Sequence, residues 1–537
     1  MAMMLNIFFS SSVFQALLFV MIVTIIPQNV YAQQCEAPYE MVTKLHHPDP
    51  GSYTVWDTAH GKDRRDEIFV SVVNLGVDVL AVGEMRRTLE GVPSLMFVHF
   101  DHRGRQLRET YQKISGLRNV VKMLRHGDGY VVLANLHKLK GRDVIWLGFF
   151  DKALVLTSYK KIQDKEFDLF ATDIVSSIDG QGWSVSVTAQ SEIGEGKGRE
   201  IRKSASVYLL DENGNERASR GYILGLDSEI VSLSVSKFDG EKHGYIATGY
   251  FENNVGKKIA WVLRLNADLS LVWQKEYSRG LSANIKVSSG YRDRYVLVFG
   301  DVLPADSNPL GSWLMLLDGD SGEVLWQRYY YGETGHHDYS AGGLYVNEDG
   351  LITLMMMARS KIHAVGMVGV TEEDISVFED KFIPENMDYA HLLTLSPRGI
   401  TLSGDSYYYG QGISLSQLIE GGDGGRVLVG YARVMEKRKV KKARSTPEVN
   451  PPLKEKGYVN LPDADLSDKA IEGLAMLRDK LKNQDVHLTM NDDHHDNGNK
   501  KESAINDMDG PVWTRDGWVL IGDTPDAYID PCVRRFQ

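Results

Sequence analysis

One short pattern returns along the chain and constrains it more than any other feature: a turn with Gly, then four to six apolar or alternating residues, often closing on Gly. It occurs at Gly76–Gly83 (GVDVLAVG), Gly129–Ala134, Gly182–Ala189, Gly244–Gly249, Arg294–Gly300, Gly350–Met355, Gly425–Gly430 and Gly517–Gly522 (GWVLIG). Runs this short, bounded by turn residues, are strands. The first six copies are about fifty to sixty residues apart, and the last two intervals stretch to 75 and 92 residues.

A second pattern follows about twenty-five residues after the first: an apolar strand, a polar turn, and a strand ending in aromatic and basic residues. LMFVHFDHRGRQLRETY, AWVLRLNADLSLVWQKEY and SWLMLLDGDSGEVLWQRYYYG are examples. Asp101, Asp151, Asp211, Asn266 and Asp318 fall at equivalent turns, where a short polar side chain can bond its own backbone. Two interleaved hairpin types make four-stranded antiparallel units, and such units bury both faces by stacking radially. Eight copies predict an all-β, eight-bladed β-propeller of four-stranded blades. Seven blades is the alternative if the charged insertion after Val434 does not hold two strands.

The ends suggest how the ring closes. Tyr53–His60 would supply the outer strand missing from a last blade made of Ala504–Phe536, so that the termini share one blade and no sheet edge stays open. The two cysteines, Cys35 and Cys532, lie near the two ends of the mature chain and are expected to form a disulfide that latches the ring in an oxidising compartment. Loop entropy alone gives such a latch on the order of 5 kcal/mol.

Residues Leu5 to Pro27 are nearly all apolar or small, and Val30 and Ala32 are small where a signal peptidase expects it. Residues 1–32 are therefore expected to be a signal peptide cleaved after Ala32. No Lys or Arg precedes the apolar stretch, and it is long enough that an uncleaved membrane anchor is the alternative. A single exported domain, periplasmic or extracellular, follows over 33–537, with insertions near 192–203, 360–387 and 435–466.

The segment LLDGDSGEVLWQRYY, Leu316 to Tyr330, resembles the tryptophan-docking repeat of quinoprotein-type propellers, with Asp318, Gly322 and Trp326 in matching places. RLNADLSLVWQKEY carries a weaker version with Trp273. That family includes quinone-dependent dehydrogenases and non-enzymatic scaffold propellers. The adjacent Cys pair and the calcium and quinone ligands of the dehydrogenases have no counterpart here, so no cofactor is expected.

Strand alternation places the loops between second and third strands, and those leading into the next blade, on one face. All three insertions fall there, as does the loop holding His336, His337 and Asp338. Loops on a rigid scaffold carry binding groups, so this insertion face is the expected partner surface. His336, His337 and Asp338 are candidate metal ligands, although neighbours in sequence rarely converge on one ion. The run Asp492 to Asp496 sits among Asn, Gly and Lys that mark a loop, and Asp318, Asp320 and Gly322 imitate a calcium loop too short to be one.

The densest positive charge is Met435–Arg444 (MEKRKVKKAR), and Lys437, Arg438, Lys439, Lys441 and Lys442 are candidates for contacting a protein or an envelope polymer. Over the whole chain 60 Lys and Arg face 72 Asp and Glu, a net charge of −12 that argues against general nucleic-acid binding. Membrane contact is expected only if the N-terminal segment stays uncleaved, and the protein is expected to be a monomer. No nucleophile elbow, phosphate-cradling loop, HExxH or CxxC is present. The expected function is a non-catalytic binding or scaffolding propeller. The alternative is an exported enzyme, either a degenerate quinoprotein or a glycan-active hydrolase or lyase using carboxylates that different blades bring together.

Overall fold

A computed structural model describes residues 38–45, 53–55, 65–87, 91–137, 141–193, 200–238, 242–305, 309–332, 337–360, 388–408, 413–421, 426–435 and 513–522. Two short strands come first, β1 (Glu40–Lys44) and β2 (Tyr53–Val55). Blade 1 contains β3 (Asp66–Asn74), β4 (Val79–Arg86), β5 (Ser94–Phe100) and β6 (Gln106–Gln112). Blade 2 contains β7 (Leu117–His126), β8 (Gly129–Leu136), β9 (Val144–Phe150) and β10 (Leu156–Ile162). Blade 3 contains β11 (Asp168–Ser176), β12 (Trp183–Ile193), β13 (Glu200–Leu210) and β14 (Glu216–Tyr222). Blade 4 contains β15 (Asp227–Phe238), β16 (Lys242–Glu252), β17 (Lys258–Asn266) and β18 (Leu271–Tyr277). Blade 5 contains β19 (Ser282–Tyr291), β20 (Tyr295–Leu303), β21 (Gly311–Asp318) and β22 (Val324–Tyr331). Blade 6 contains β23 (His337–Val346), β24 (Ile352–Ser360), β25 (Tyr389–Leu395) and β26 (Thr401–Tyr408). The last sheet contains β27 (Ile413–Glu420), β28 (Arg426–Met435) and β29 (Trp513–Gly522).

Each blade pairs its strands antiparallel in chain order, with the first strand innermost. The two middle strands read as continuous apolar runs because neighbouring blades cover both faces: β4, VLAVGEMR, is buried over all but its last residue. Outer strands such as β14, ERASRGY, are exposed over all but the final Tyr222. Apolar clusters fill the seams, one joining Leu297 and Phe299 of blade 5 to Leu354 and Met356 of blade 6, another joining Val79 and Val98 of blade 1 to Val427 and Val429 of the last sheet.

The eight-bladed expectation is overturned. Six blades are four-stranded and the remaining sheet has three strands, so neither eight nor seven four-stranded blades occur among the described residues. Seven copies of the first pattern are second strands, but the eighth, Gly517–Gly522, is part of β29 and pairs with the seventh copy in one sheet, Gly430 facing Trp518. The segment GWVLIG matches the second-strand pattern in sequence but is a third strand here, which is how one sheet came to look like two units.

Closure by a shared terminal blade is overturned as well. Tyr53–Val55 pairs in parallel with Ser406–Tyr408, on the outer edge of blade 6, and Glu40–Lys44 pairs in parallel with Gln327–Tyr331, on the outer edge of blade 5. The ring instead closes between the last sheet and blade 1: the Val72 amide donates to Gln417 Oε1 at 2.7 Å and Asn74 Nδ2 to the Glu420 carbonyl at 3.1 Å. Cys35, Cys532 and residues 1–32 lie outside the described residues, and there is no disulfide among the described ones. The chain divides into two compact units, 1–436 with 512–537, and 437–511. The second lies outside the described residues.

Candidate functional site

Polar residues facing the ring's interior are set by one backbone irregularity. Every inner strand carries a β-bulge, at Val70, Val121, Thr172, Val231, Lys286, Gly342 and Ser416. In four sheets the second-strand residue opposite the bulge is Gly83, Gly249, Gly300 or Gly430. A Cβ there would lie 1.9–2.0 Å from the carbonyl oxygen of Ile68, Glu229, Asn284 or Ser414. This close approach explains the Gly that so often closes the repeated sequence pattern.

The residue after that position reaches the next blade. Glu84 Oε1 accepts the Val120 amide at 2.8 Å, Asn135 Oδ1 the Ala171 amide at 2.7 Å, and Asp301 Oδ1 the Ala341 amide at 2.7 Å. A second set comes from the residue after the bulge: Ser71 Oγ accepts from Met123, and Asp173 Oδ2 accepts from Leu233 at 2.9 Å. Bulged inner strands leave amides without ladder partners, and these side chains satisfy them across the seams.

Cations complete the carboxylates. Lys122 Nζ lies 2.7 Å from Asp173 Oδ1, and Lys286 Nζ lies 2.6 Å from Asp301 Oδ2. Tyr250 donates to Glu229 Oε2 at 3.0 Å, beside Lys203 Nζ at 3.2 Å. Burial and then the Glu229 charge push the Tyr250 hydroxyl well above its usual range.

At the insertion-face end of blades 2 and 3 a polar rim forms. Asp143, nearly buried, binds Arg118 Nη1 through one oxygen and His137 Nδ1 through the other, each at 2.7 Å. The Asp143 amide donates to Asp168 Oδ1 at 2.7 Å, Arg142 lies 3.6 Å from Asp168, and the Arg118 guanidinium sits 4.7 Å over the Phe170 ring. The His137 side chain is 60% exposed. With Nδ1 held by the carboxylate, the Nε2 edge of the ring is left to face a partner. This rim could hold an anionic or hydrogen-bonding partner, and His137 could accept a proton.

The sequence-nominated residues are dispersed. His337 is buried with its ring 5.2 Å from Tyr389, edge to face, and Asp338 Oδ1 accepts the Leu310 amide at 2.7 Å. They do not converge, and no group of three metal-ligating side chains exists among the described residues. His336 and the basic residues Lys437, Arg438, Lys439, Lys441 and Lys442 lie outside the described residues. Of the stretch near 192–203, Glu192–Ile193 and Glu200–Lys203 extend the β12–β13 hairpin in register. The rim around Asp143 was missed. The inter-blade acceptors were missed too, and their signal was a polar residue, Glu84 or Asn135, directly after the closing Gly or Ala of an otherwise apolar strand.

Trp273 and Trp326 each pack on a turn glycine of the following blade: a Cβ on Gly322 would come within 3.1 Å of the first ring, and one on Gly399 within 2.9 Å of the second. This is a packing device of the ring, and kinship with quinoproteins is not confirmed by it. No family model matches the chain, and no curated protein matches its sequence. Among solved structures, puromycin hydrolase is 13% identical with a TM-score of 0.37, covering 73% of this chain and 54% of its own. The propeller domain of the Trilobed protease from Pyrococcus furiosus is 10% identical with a TM-score of 0.33, covering 67% and 89%. Sqt1 from Chaetomium thermophilum is 11% identical with a TM-score of 0.36, covering 69% and 96%. The chain is a β-propeller by its own strand pairing, with no family assigned.

Proposed function

We propose that this protein is an exported, non-catalytic propeller that binds or scaffolds a macromolecular partner on its insertion face. The observation that carries the reading is the employment of the interior carboxylates. Asp173 and Asp301 each bind an amide of the next blade and a lysine, and Glu84 binds an amide and Arg86. Carboxylates so engaged hold blades together rather than exchange protons with a substrate. Partner recognition then falls to the rim of Arg118, His137 and Arg142 and to the basic stretch Lys437–Lys442, suited to an anionic envelope polymer or an acidic protein surface.

Deleting residues 437–462 should leave the ring folded, because long surface loops cost little to alter. It should weaken retention of the native envelope partner at low salt. Neutralising Lys437, Arg438, Lys439, Lys441 and Lys442 should reproduce the part of that loss that salt also removes. Unchanged retention by both variants would refute the basic stretch as a docking element.

One feature favours a second reading, an exported hydrolase. His137 oriented by Asp143 has the form of a general base. Hydrolysis of a glycan or ester panel by the wild type, lost in His137→Ala, would establish it.

A further inference from the structure

On the face opposite the insertions, the seam between blades 2 and 3 holds an open cleft of about 480 Å³. His126, Phe149, Asp128, Asp151, Glu212 and Asn213 are in its wall. The His126 ring packs edge to face on Phe149 at 5.8 Å and on Trp183 at 5.1 Å, which fixes an aromatic floor. Asp128 and Glu212 are exposed, and one oxygen of Asp151 accepts the Val155 amide at 2.8 Å. Three carboxylates face one lysine, Lys152, so the cleft is acidic.

The same position two blades on shows what such a cleft accepts. Arg264 stands two residues before the third-strand turn of blade 4, as Phe149 does in blade 2. Its guanidinium lies 3.9 Å over the Phe238 ring. Nη1 donates to the Gly319 carbonyl at 2.8 Å and to Asp320 Oδ1 at 2.6 Å, both in the turn of blade 5. Counted from the turn aspartates Asp211 and Asp318, Glu212 and Asn213 follow as Gly319 and Asp320 do, in a blade 3 turn that is one residue shorter. In blade 2 the resident cation is replaced by Phe149, while the aromatic floor and the acceptors of the next turn remain and acidity increases.

We infer that this cleft seats a guanidinium from outside, an arginine side chain presented by a basic partner segment. Cation over ring and bidentate hydrogen bonding to carboxylate are the interactions in which arginine exceeds lysine. The site is independent of the insertion-face reading and has the opposite charge preference.

The test uses the full-length protein and a fluorescein-labelled peptide, Ac-Gly-Arg-Gly-Arg-Gly-NH2, in low salt, read by anisotropy. The peptide should bind, and its citrulline counterpart should bind at least tenfold more weakly. The double variant Asp128→Asn with Glu212→Gln should weaken the arginine peptide at least tenfold with an unchanged melting temperature. Glu216→Gln with Glu276→Gln, which removes the same charge from exposed outer strands, should leave affinity within twofold. Equal loss in both double variants, equal binding of the citrulline peptide, or no binding of the arginine peptide at millimolar concentration would each overturn the inference.

Discussion

Replacing Gly300 by Ala probes the contact that shapes every Gly-bearing seam. The new Cβ would lie 1.9 Å from the Asn284 carbonyl oxygen and 2.6 Å from Ile285 Cα, both backbone atoms of the bulged strand β19. Side-chain rotation cannot relieve a backbone clash, so β19 and β20 must separate locally. That movement also shifts Asp301, which holds the Ala341 amide at 2.7 Å across the seam to blade 6 and Lys286 of its own blade at 2.6 Å. Overpacking of this kind costs about 1–3 kcal/mol, and loosening a buried charge-assisted bond adds about 1–2 kcal/mol, so about 3 kcal/mol is expected. Unfolding entropy near 2 cal/mol/K per residue over the 335 described residues converts this to a fall of about 4–5 °C in melting temperature. Differential scanning calorimetry and urea titration can measure both quantities. Gly221→Ala, where the nearest atoms to a new Cβ are 3.8 Å away on the exposed strand β14, is the matched control. Equal stability of the two variants would refute the view that the bulge requires glycine opposite it.

Arg328 is 1% exposed and donates to the carbonyls of Gly399, Arg398, Pro38 and Gln327 at 2.7–2.9 Å. Arg328→Met should therefore cost about 2–4 kcal/mol in urea titration by leaving buried carbonyls unpaired. Glu40 receives both Nη groups of Arg279, and those hydrogen bonds hold its carboxyl below the ordinary value of 4.5 although burial opposes them. A lowered carboxylate stabilises above its unfolded pKa and loses that effect as pH falls through the folded one, so amides 40–44 should exchange faster below about pH 4.5, a dependence that Glu40→Gln removes. Burial lowers His391 to about 4 from 6.5, so the unfolded chain binds a proton that the folded one refuses. Stability should decline from pH 6.5 toward 4, and His391→Gln should flatten that decline in pH-dependent melting.

Strand positions were legible because burial on both faces leaves no polar alternation in β4, β8 or β20, and the turns at Asp101, Asp211 and Asp318 announce themselves by side chains that cap their own backbone. Blade number was not. It depends on whether an apolar run such as Trp513–Gly522 starts a sheet or completes one, and pairing over 77 intervening residues leaves no local trace. The outer-edge docking of β1 and β2 was hidden for the same reason: a parallel partner such as Tyr329 for Val42 is chosen by the three-dimensional edge available. The rim at Asp143 combines Arg118, His137 and Asp168 from two blades, and only the fold brings them within 3 Å of one another's partners.

The most direct test of the ring's closure is disulfide trapping in a background with Cys35 and Cys532 changed to Ser. Thr54 and Tyr407 face each other across β2 and β26, so Thr54→Cys with Tyr407→Cys has the short Cα separation a disulfide needs. Thr54→Cys with Thr514→Cys places its partner in the last sheet, which β2 does not join. Mild oxidation followed by peptide mass spectrometry should give the first crosslink in high yield and none of the second. The reverse yield would contradict closure by the last sheet against blade 1 and restore a blade shared between the termini.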